Sequence, residues 1–198
     1  MIYTFRDGNK TKPVERKAIY TMKTVRPVTK LGNPPYTRMI SSIRPSDGDR
    51  MKWGAPTWTL FHCIPEKLTQ DMFIKNKDSI IRMIVTICNN LPCPSCSDHA
   101  RRYMNKINFL SIKSTDDLRK MLFIFHNSVN EIKRYAEYSY DELHEKYSSL
   151  DFKHVVNEFM LHFQKKTYSQ NLIAQQMYRQ KQVTLIKKWF HENIEIFQ

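Results

Sequence analysis

From Ile80 onward, apolar side chains recur at one face of a three-to-four residue period through Ile81, Ile84, Ile87 and Cys88, and the recurrence stops at Leu91-Pro92. That period marks one buried stripe of an α-helix. Proline lacks an N–H and disfavours helix in the residue before it, so the helix predicted over residues 70–90 must end there. Immediately after comes Cys93-Pro94-Ser95-Cys96, with His99 three residues further on. The chain is therefore obliged to put two cysteines at a helix-to-helix junction. Such a pair can close into a redox disulfide, bind a metal as two thiolates, or be chemically idle.

The helical period governs everything after Trp53. Pro56 suits the first turn of a helix carrying Trp58, Phe61 and His62, and Pro65 bends or ends it. A third helix is predicted from about Pro94 to Asn105. Ser114-Thr115-Asp116-Asp117 is a capping sequence with acids in the first turn, and it predicts a fourth helix running to about Tyr138. A short fifth helix follows from Asp141 to Tyr147. Phe152, Val155, Val156, Phe159, Met160 and Phe163 line one face over residues 151–164, and residues 170–197 read as a further helix with a basic exposed side. Only four glycines occur in 198 residues, which argues against a turn-rich β fold and against Gly-rich phosphate loops. The fold class is all-α. Residues 1–50 differ: five prolines and no sustained period predict an extended, largely irregular arm.

Charge is uneven. The net charge is +13, and the first 50 residues hold 11 Lys/Arg against 4 Asp/Glu. Such an arm suits contact with nucleic acid, an acidic protein surface or an anionic membrane, or simply a solvated tail. No apolar run approaches the roughly 18–20 residues of a membrane span, and no secretory signal is visible. Asp7 and Glu15 fit a mitochondrial presequence poorly. Four cysteines (Cys63, Cys88, Cys93 and Cys96) are too few for a disulfide-stapled secreted scaffold, and Cys63 and Cys88 fall on apolar faces, as buried thiols do.

The start of a helix carries unpaired N–H groups and partial positive charge, which favour a thiolate, the reactive form of cysteine. Cys96 falls in the first turn of the third helix, Cys93 just before it, and His99 one turn later on the side of Cys96. A thioredoxin-like arrangement needs a strand before the motif, and the preceding period is helical. A zinc site would take Cys93, Cys96 and His99 with Cys88, His62 or His126. With the basic charge this gives the alternative reading, a zinc-stapled helical protein binding nucleic acid. Zinc leaves the downstream segment His126-Asn127-Ser128-Val129-Asn130 without a purpose. On a helix His126, Asn127 and Asn130 form one polar strip, suited to reading a polar aromatic ligand, while Leu122, Phe125 and Val129 point elsewhere. Trp58 and His62, at i and i+4, offer a flat apolar surface with a polar tip.

Three segments together resemble the Erv/ALR sulfhydryl oxidases, most closely the compact versions encoded by large cytoplasmic DNA viruses. They are Trp58-Thr59-Leu60-Phe61-His62, Pro92-Cys93-Pro94-Ser95-Cys96-Ser97-Asp98-His99, and His126-Asn127-Ser128-Val129-Asn130. The first departs from the family's pattern in having Phe61 before the histidine. The resemblance covers about half of the chain, Trp53 to Leu150. It implies a four-helix bundle with a short fifth helix holding FAD, here flanked by the basic arm (1–50) and by extra C-terminal helices (151–198), with the oxidase domain over 51–150. It implies that Cys96 is the flavin-proximal sulfur and Cys93 the sulfur that exchanges with substrate. Trp58, His62, His99, Tyr103, His126, Asn127, Val129, Asn130 and Lys133 are the implied FAD contacts. The implied activity is thiol oxidation that forms disulfides in a dithiol protein, thioredoxin-like in kind, with molecular oxygen reduced to hydrogen peroxide. The implied assembly is a homodimer. A viral source implies host cytoplasm or virion, and the mitochondrial intermembrane space fits less well. Neither flank carries a cysteine, so the second, shuttling pair of many family members is missing.

Overall fold

The computed structural model describes residues 52–165 and 173–197, with side chains from 176 in the last segment; the arm expected over 1–50 lies outside the described residues. The described residues form seven helices in order: α1 (Gly54–Glu66), α2 (Gln70–Asn89), α3 (Pro94–Met104), α4 (Thr115–Lys133), α5 (Glu142–Ser148), α6 (Phe152–Phe163) and α7 (Ile173–Asn193). Short 3-10 turns occur at Phe109–Ser111 and Ile194–Ile196, and no strand is present among the described residues. The all-α expectation holds.

Helices α2, α3, α4 and α6 each start on a side-chain cap. The Thr69 hydroxyl accepts from the Met72 N–H at the head of α2. At α4, Ser114 and Asp117 form a reciprocal capping box, satisfying two backbone donors that would otherwise be orphaned. Cys93 takes the N-cap position of α3, with Pro94 in the first turn. Pro65 does not break α1. It sits in the last turn, which ends at Glu66; its missing N–H removes the bond to the Phe61 carbonyl, and the Lys67 N–H closes the end onto the Cys63 and Ile64 carbonyls.

One boundary departs from expectation. α4 stops at Lys133, not near Tyr138, because Arg134 turns left-handed (φ 57°). The Tyr135 N–H bonds the Asn130 carbonyl at 2.9 Å, closing the helix end. The chain over 134–141 is then free to fold back toward α4.

α1 is the centre of the packing. It lies against α4, α5 and α6, while α2 packs on α3 and α7. The apolar stripe of α6 (Phe152, Val155, Val156, Phe159, Met160, Phe163) is turned inward, and Phe159, Phe163 and Phe190 are fully buried. Phe152, Phe159 and Phe163 of α6 and Val183, Ile186 and Phe190 of α7 thus join the same hydrophobic cluster as Leu60, Phe61, Ile84 and Leu122. Each buried Phe contributes up to about 3 kcal/mol of transfer free energy, so these helices are structural and not decorative. Polar ties reinforce the contacts. The Arg179 guanidinium donates to the carbonyls of Asn90 and Phe163, fastening α7 to the ends of α2 and α6. The buried Glu66 carboxylate accepts from Arg119 Nε at 2.5 Å and contacts His144 Nδ1 at 2.7 Å, linking α1, α4 and α5. Burial opposes ionisation of Glu66, but the Arg119 and His144 hydrogen bonds outweigh it and hold its pKa below the usual value.

Candidate functional site

The kink between α2 and α3 carries the sulfur chemistry. Cys93 and Cys96 are joined as a disulfide, with Cα atoms 5.2 Å apart. The extended backbone of Cys93 (φ −100°, ψ 116°) puts its sulfur where a serine or aspartate oxygen caps a helix, and that sulfur accepts from the Cys96 N–H at 3.3 Å. The Ser97 hydroxyl bonds the Cys88 carbonyl at 3.0 Å and locks α3 onto the end of α2. A sulfur spent in a disulfide is no thiolate ligand. Among the described residues no group of three His, Cys, Asp or Glu could hold a metal ion.

Beside the disulfide lies a cavity of about 380 Å³. Cys96 and His99 line it from α3, Trp58 and Phe61 from α1, and Val129 and Lys133 from α4. The volume falls within the range of ligand-sized sites, and the lining is mainly aromatic and aliphatic with a few polar groups. Burial, aided by Arg102 and Lys106, lowers the pKa of His99, and burial lowers that of Lys133.

Behind Trp58 stands a column of rings. Trp58 stacks on His126 with centroids 4.1 Å apart and an interplanar angle of 14°. His126 Nδ1 lies 2.8 Å from His62 Nε2, so one nitrogen of this pair donates and the other accepts. Tyr138 stacks on both histidines and Tyr147 on His62. Burial, with the like charges of His126 and Lys146, takes the His62 pKa down to about 3. Burial, with Lys146 and Lys133, takes that of His126 down to about 4. Both imidazoles are neutral at pH 7. His62 Nδ1 is buried without a hydrogen-bond partner among the described residues. The cavity itself, walled by Trp58, Phe61 and Phe125 with Cys96 and His99 at its side, fits a flat, polar-edged aromatic group such as a flavin. Arg102 and Lys133 on the cavity wall fit its phosphates.

The structure distributes the sequence-derived candidates in three groups. Trp58, Cys96, His99, Val129 and Lys133 line the cavity. His62 and His126 form the column behind it. Tyr103, Asn127 and Asn130 are not among the lining residues. Tyr103 stacks on Phe125 at 4.5 Å. The Asn127 amide clamps the Tyr138 backbone: its Nδ2 donates to the Tyr138 carbonyl at 3.1 Å and its Oδ1 accepts from the Tyr138 N–H at 2.9 Å. Asn130 is buried and donates to Asn127 Oδ1 at 3.4 Å. The polar strip read from the sequence therefore divides, with His126 toward the rings and the two asparagines toward the 134–141 segment. The sequence reading missed Arg102, which shares a helix face with His99, and Tyr138, which lies in a segment with no period. Cys63 and Cys88 are free and buried, and burial raises the pKa of both, Cys63 to about 11.

Residues 55–148 match the family model of the Erv1 / Alr family. An FAD-linked sulfhydryl oxidase of African swine fever virus (isolate Tick/Malawi/Lil 20-1/1983) is 31% identical over 81 residues, 41% of this chain and 67% of the relative. A putative FAD-linked sulfhydryl oxidase of Invertebrate iridescent virus 6 is 34% identical over 91 residues, 43% of this chain and 82% of the relative. The chain belongs to the Erv1/Alr family. A further relative, a probable FAD-linked sulfhydryl oxidase of Vaccinia virus (strain Copenhagen), is 29% identical over 89 residues, 45% of this chain and 87% of the relative. No solved structure matches the chain. The family match ends in α5, so α6 and α7 lie beyond it. No helix among the described residues is long and apolar enough to cross a membrane.

Proposed function

We propose that the chain is an FAD-linked thiol oxidase in which Cys93 and Cys96 are the redox pair. The observation that supports this reading is the position of Cys96 on the wall of an aromatic cavity, bonded to a Cys93 outside that wall. Bound in the cavity, FAD supplies a two-electron acceptor and a route to oxygen, released as hydrogen peroxide. Trp58, His99, Val129 and Lys133 hold it from the cavity walls, with Arg102 beside them. His62 and His126 brace Trp58 and present neutral polar edges. Tyr103, Asn127 and Asn130 are proposed as further FAD contacts from the resemblance; in this structure Tyr103 stacks on Phe125 and Asn127 holds the Tyr138 backbone.

A substrate thiolate attacks Cys93 Sγ, the disulfide breaks, and Cys96 Sγ leaves as a thiolate at the head of α3, where the helix dipole favours it. A second substrate thiol releases the oxidised product. The other two cysteines are buried, so no second exposed pair exists to relay electrons. An external dithiol protein acting directly on Cys93 fits this arrangement as the substrate.

The purified protein is expected to be yellow, with a flavin absorption spectrum, and to consume oxygen and form peroxide with dithiothreitol. A colourless preparation carrying zinc would overturn the reading in favour of the metal-stapled alternative. Colour without peroxide would reduce the chain to a flavin-binding module.

A further inference from the structure

Ser95 lies between the two cysteines, and neither the motif nor the mechanism above gives it a task. Its hydroxyl oxygen lies 3.2 Å from Cys93 Sγ. A disulfide sulfur has no hydrogen, so in this structure Ser95 is the donor. The same sulfur accepts from the Cys96 N–H at 3.3 Å. Two donors thus converge on one sulfur, and that sulfur caps an 11-residue helix. Pro94 between them fixes its own φ, which pins the direction from which Ser95 reaches back.

We infer that Ser95 is a positioning residue for the reaction, its hydroxyl holding Cys93 as a thiolate at the N-cap of α3 and so speeding release of the oxidised product. The inference rests on the roles given to Cys93 and Cys96 above. In the first exchange a substrate sulfur bonds to Cys93 Sγ, the Cys93–Cys96 bond breaks, and Cys96 Sγ takes the electron pair. In the second exchange another substrate thiolate attacks the substrate sulfur of the mixed disulfide. The new bond is the product disulfide, the bond to Cys93 breaks, and Cys93 Sγ leaves with the electron pair. The substrate dithiol has then lost two electrons and two protons, and the enzyme pair has gained the two electrons. A lower thiol pKa makes a faster leaving group. The hydroxyl and the N–H face the sulfur that leaves in this second exchange. Stabilising that thiolate also stabilises the reduced pair, which makes the disulfide a stronger oxidant toward substrate.

The test isolates Cys93 in the full-length chain with Cys96→Ala, and follows its alkylation by iodoacetamide against pH with peptide mass spectrometry. Cys63 and Cys88 stay silent between pH 5 and 9, because burial raises the pKa of each. Adding Ser95→Ala is expected to raise the Cys93 midpoint by about one pH unit, a tenfold gain in proton affinity. Ser95→Thr, which keeps the hydroxyl, is expected to restore it. With both cysteines present, Ser95→Ala is expected to lower the reduction potential against glutathione by about 30 mV, the equivalent of tenfold in the exchange equilibrium. Superimposable pH profiles for Ser and Ala, or a Thr variant that behaves like Ala, would overturn the inference. Ser95 is exposed, so these variants leave the core intact. Alkylation needs no flavin turnover, so its failure is separable from failure of the cysteine roles. The latter would show as a trapped substrate disulfide on Cys96 instead of Cys93.

Discussion

α1 and α3 both line the cavity, yet they are built on opposite plans. α1 is buried without interruption from Leu60 to Pro65, gripped by α4, α5 and α6. α3 buries only Ala100 and Met104 and turns Arg101, Arg102 and Asp98 to solvent. The difference follows from the work each does. A sulfur that must meet another protein's sulfur needs access, so its helix cannot be enclosed. A ring column that shapes a cavity needs to stay still, so its helix is enclosed on every side. Rigidity comes from the core, and reactivity is placed at its edge.

If the two helices divide labour in this way, substitutions in them should fail in different measurements. Phe61 is 1% exposed. Phe61→Ala is expected to cost about 3–5 kcal/mol of stability through lost burial and a cavity, read as a lowered midpoint in urea. Cys96→Ser is expected to cost at most about 2 kcal/mol, because the closed loop is short, yet to lower turnover by about a hundredfold or more with bound flavin retained. A Cys96→Ser protein that turned over normally, or a Phe61→Ala protein with unchanged stability, would break the division.

Acid should test the ring column next. His62 has its pKa at about 3 in the folded chain, against about 6.5 when unfolded, first by burial and then by its charged neighbours. Between these values the unfolded chain binds the extra proton. Stability is therefore complete above pH 6.5 and declines as the pH falls below it, until the folded state also protonates near pH 3. From pH 7 to pH 5 the loss attributable to His62 is about 2 kcal/mol. His126, with its pKa at about 4, acts in the same direction and window. Urea titrations at the two pH values give the measurement, and His62→Gln should flatten the difference. His99 in α3 is shifted in the same direction, first by burial, and adds to the loss. A wild-type chain as stable at pH 5 as at pH 7 would mean that the column opens and charges without resisting.

What could be read from residues alone follows the same division between local and distant causes. The cysteine junction was legible because proline, period and capping act within a few residues. The α6 stripe was equally plain as a stripe, but what covered it was not, since α1 lies far away in sequence. α1 itself looked like a helix with one working face around Trp58 and His62. That α1 would also be covered by α6, which follows much later, could not be read locally. The end of α4 was misjudged for a different reason. Arg134 adopts a left-handed conformation that glycine usually signals, and no glycine stands there. Asn127 showed its polarity but not its partner, because a backbone group in a loop has no residue type to betray it.

That partner gives the smallest effect and the finest test of where the rigid region ends. Asn127 holds Tyr138 by its main-chain N–H and carbonyl, and Tyr138 in turn covers His62 and His126. Both bonds are half-buried, so Asn127→Ala is expected to cost about 1–2 kcal/mol in all. The more telling readout is hydrogen exchange. The Tyr138 amide should lose protection, because its acceptor is gone, while amides within α1 stay protected by core packing. Asn127→Asp keeps the acceptor for the Tyr138 N–H and loses the donor to its carbonyl, so it should fall between Ala and wild type. The midpoint for Cys93 alkylation should not move, since α3 takes no part in this clamp. If Tyr138 stayed protected in Asn127→Ala, ring stacking alone would hold the 134–141 segment, and the enclosed side of the cavity would extend past α4 without help from the asparagine. If α1 amides opened together with Tyr138, the clamp would belong to the core itself, and the contrast between the two helices would rest on α3 alone.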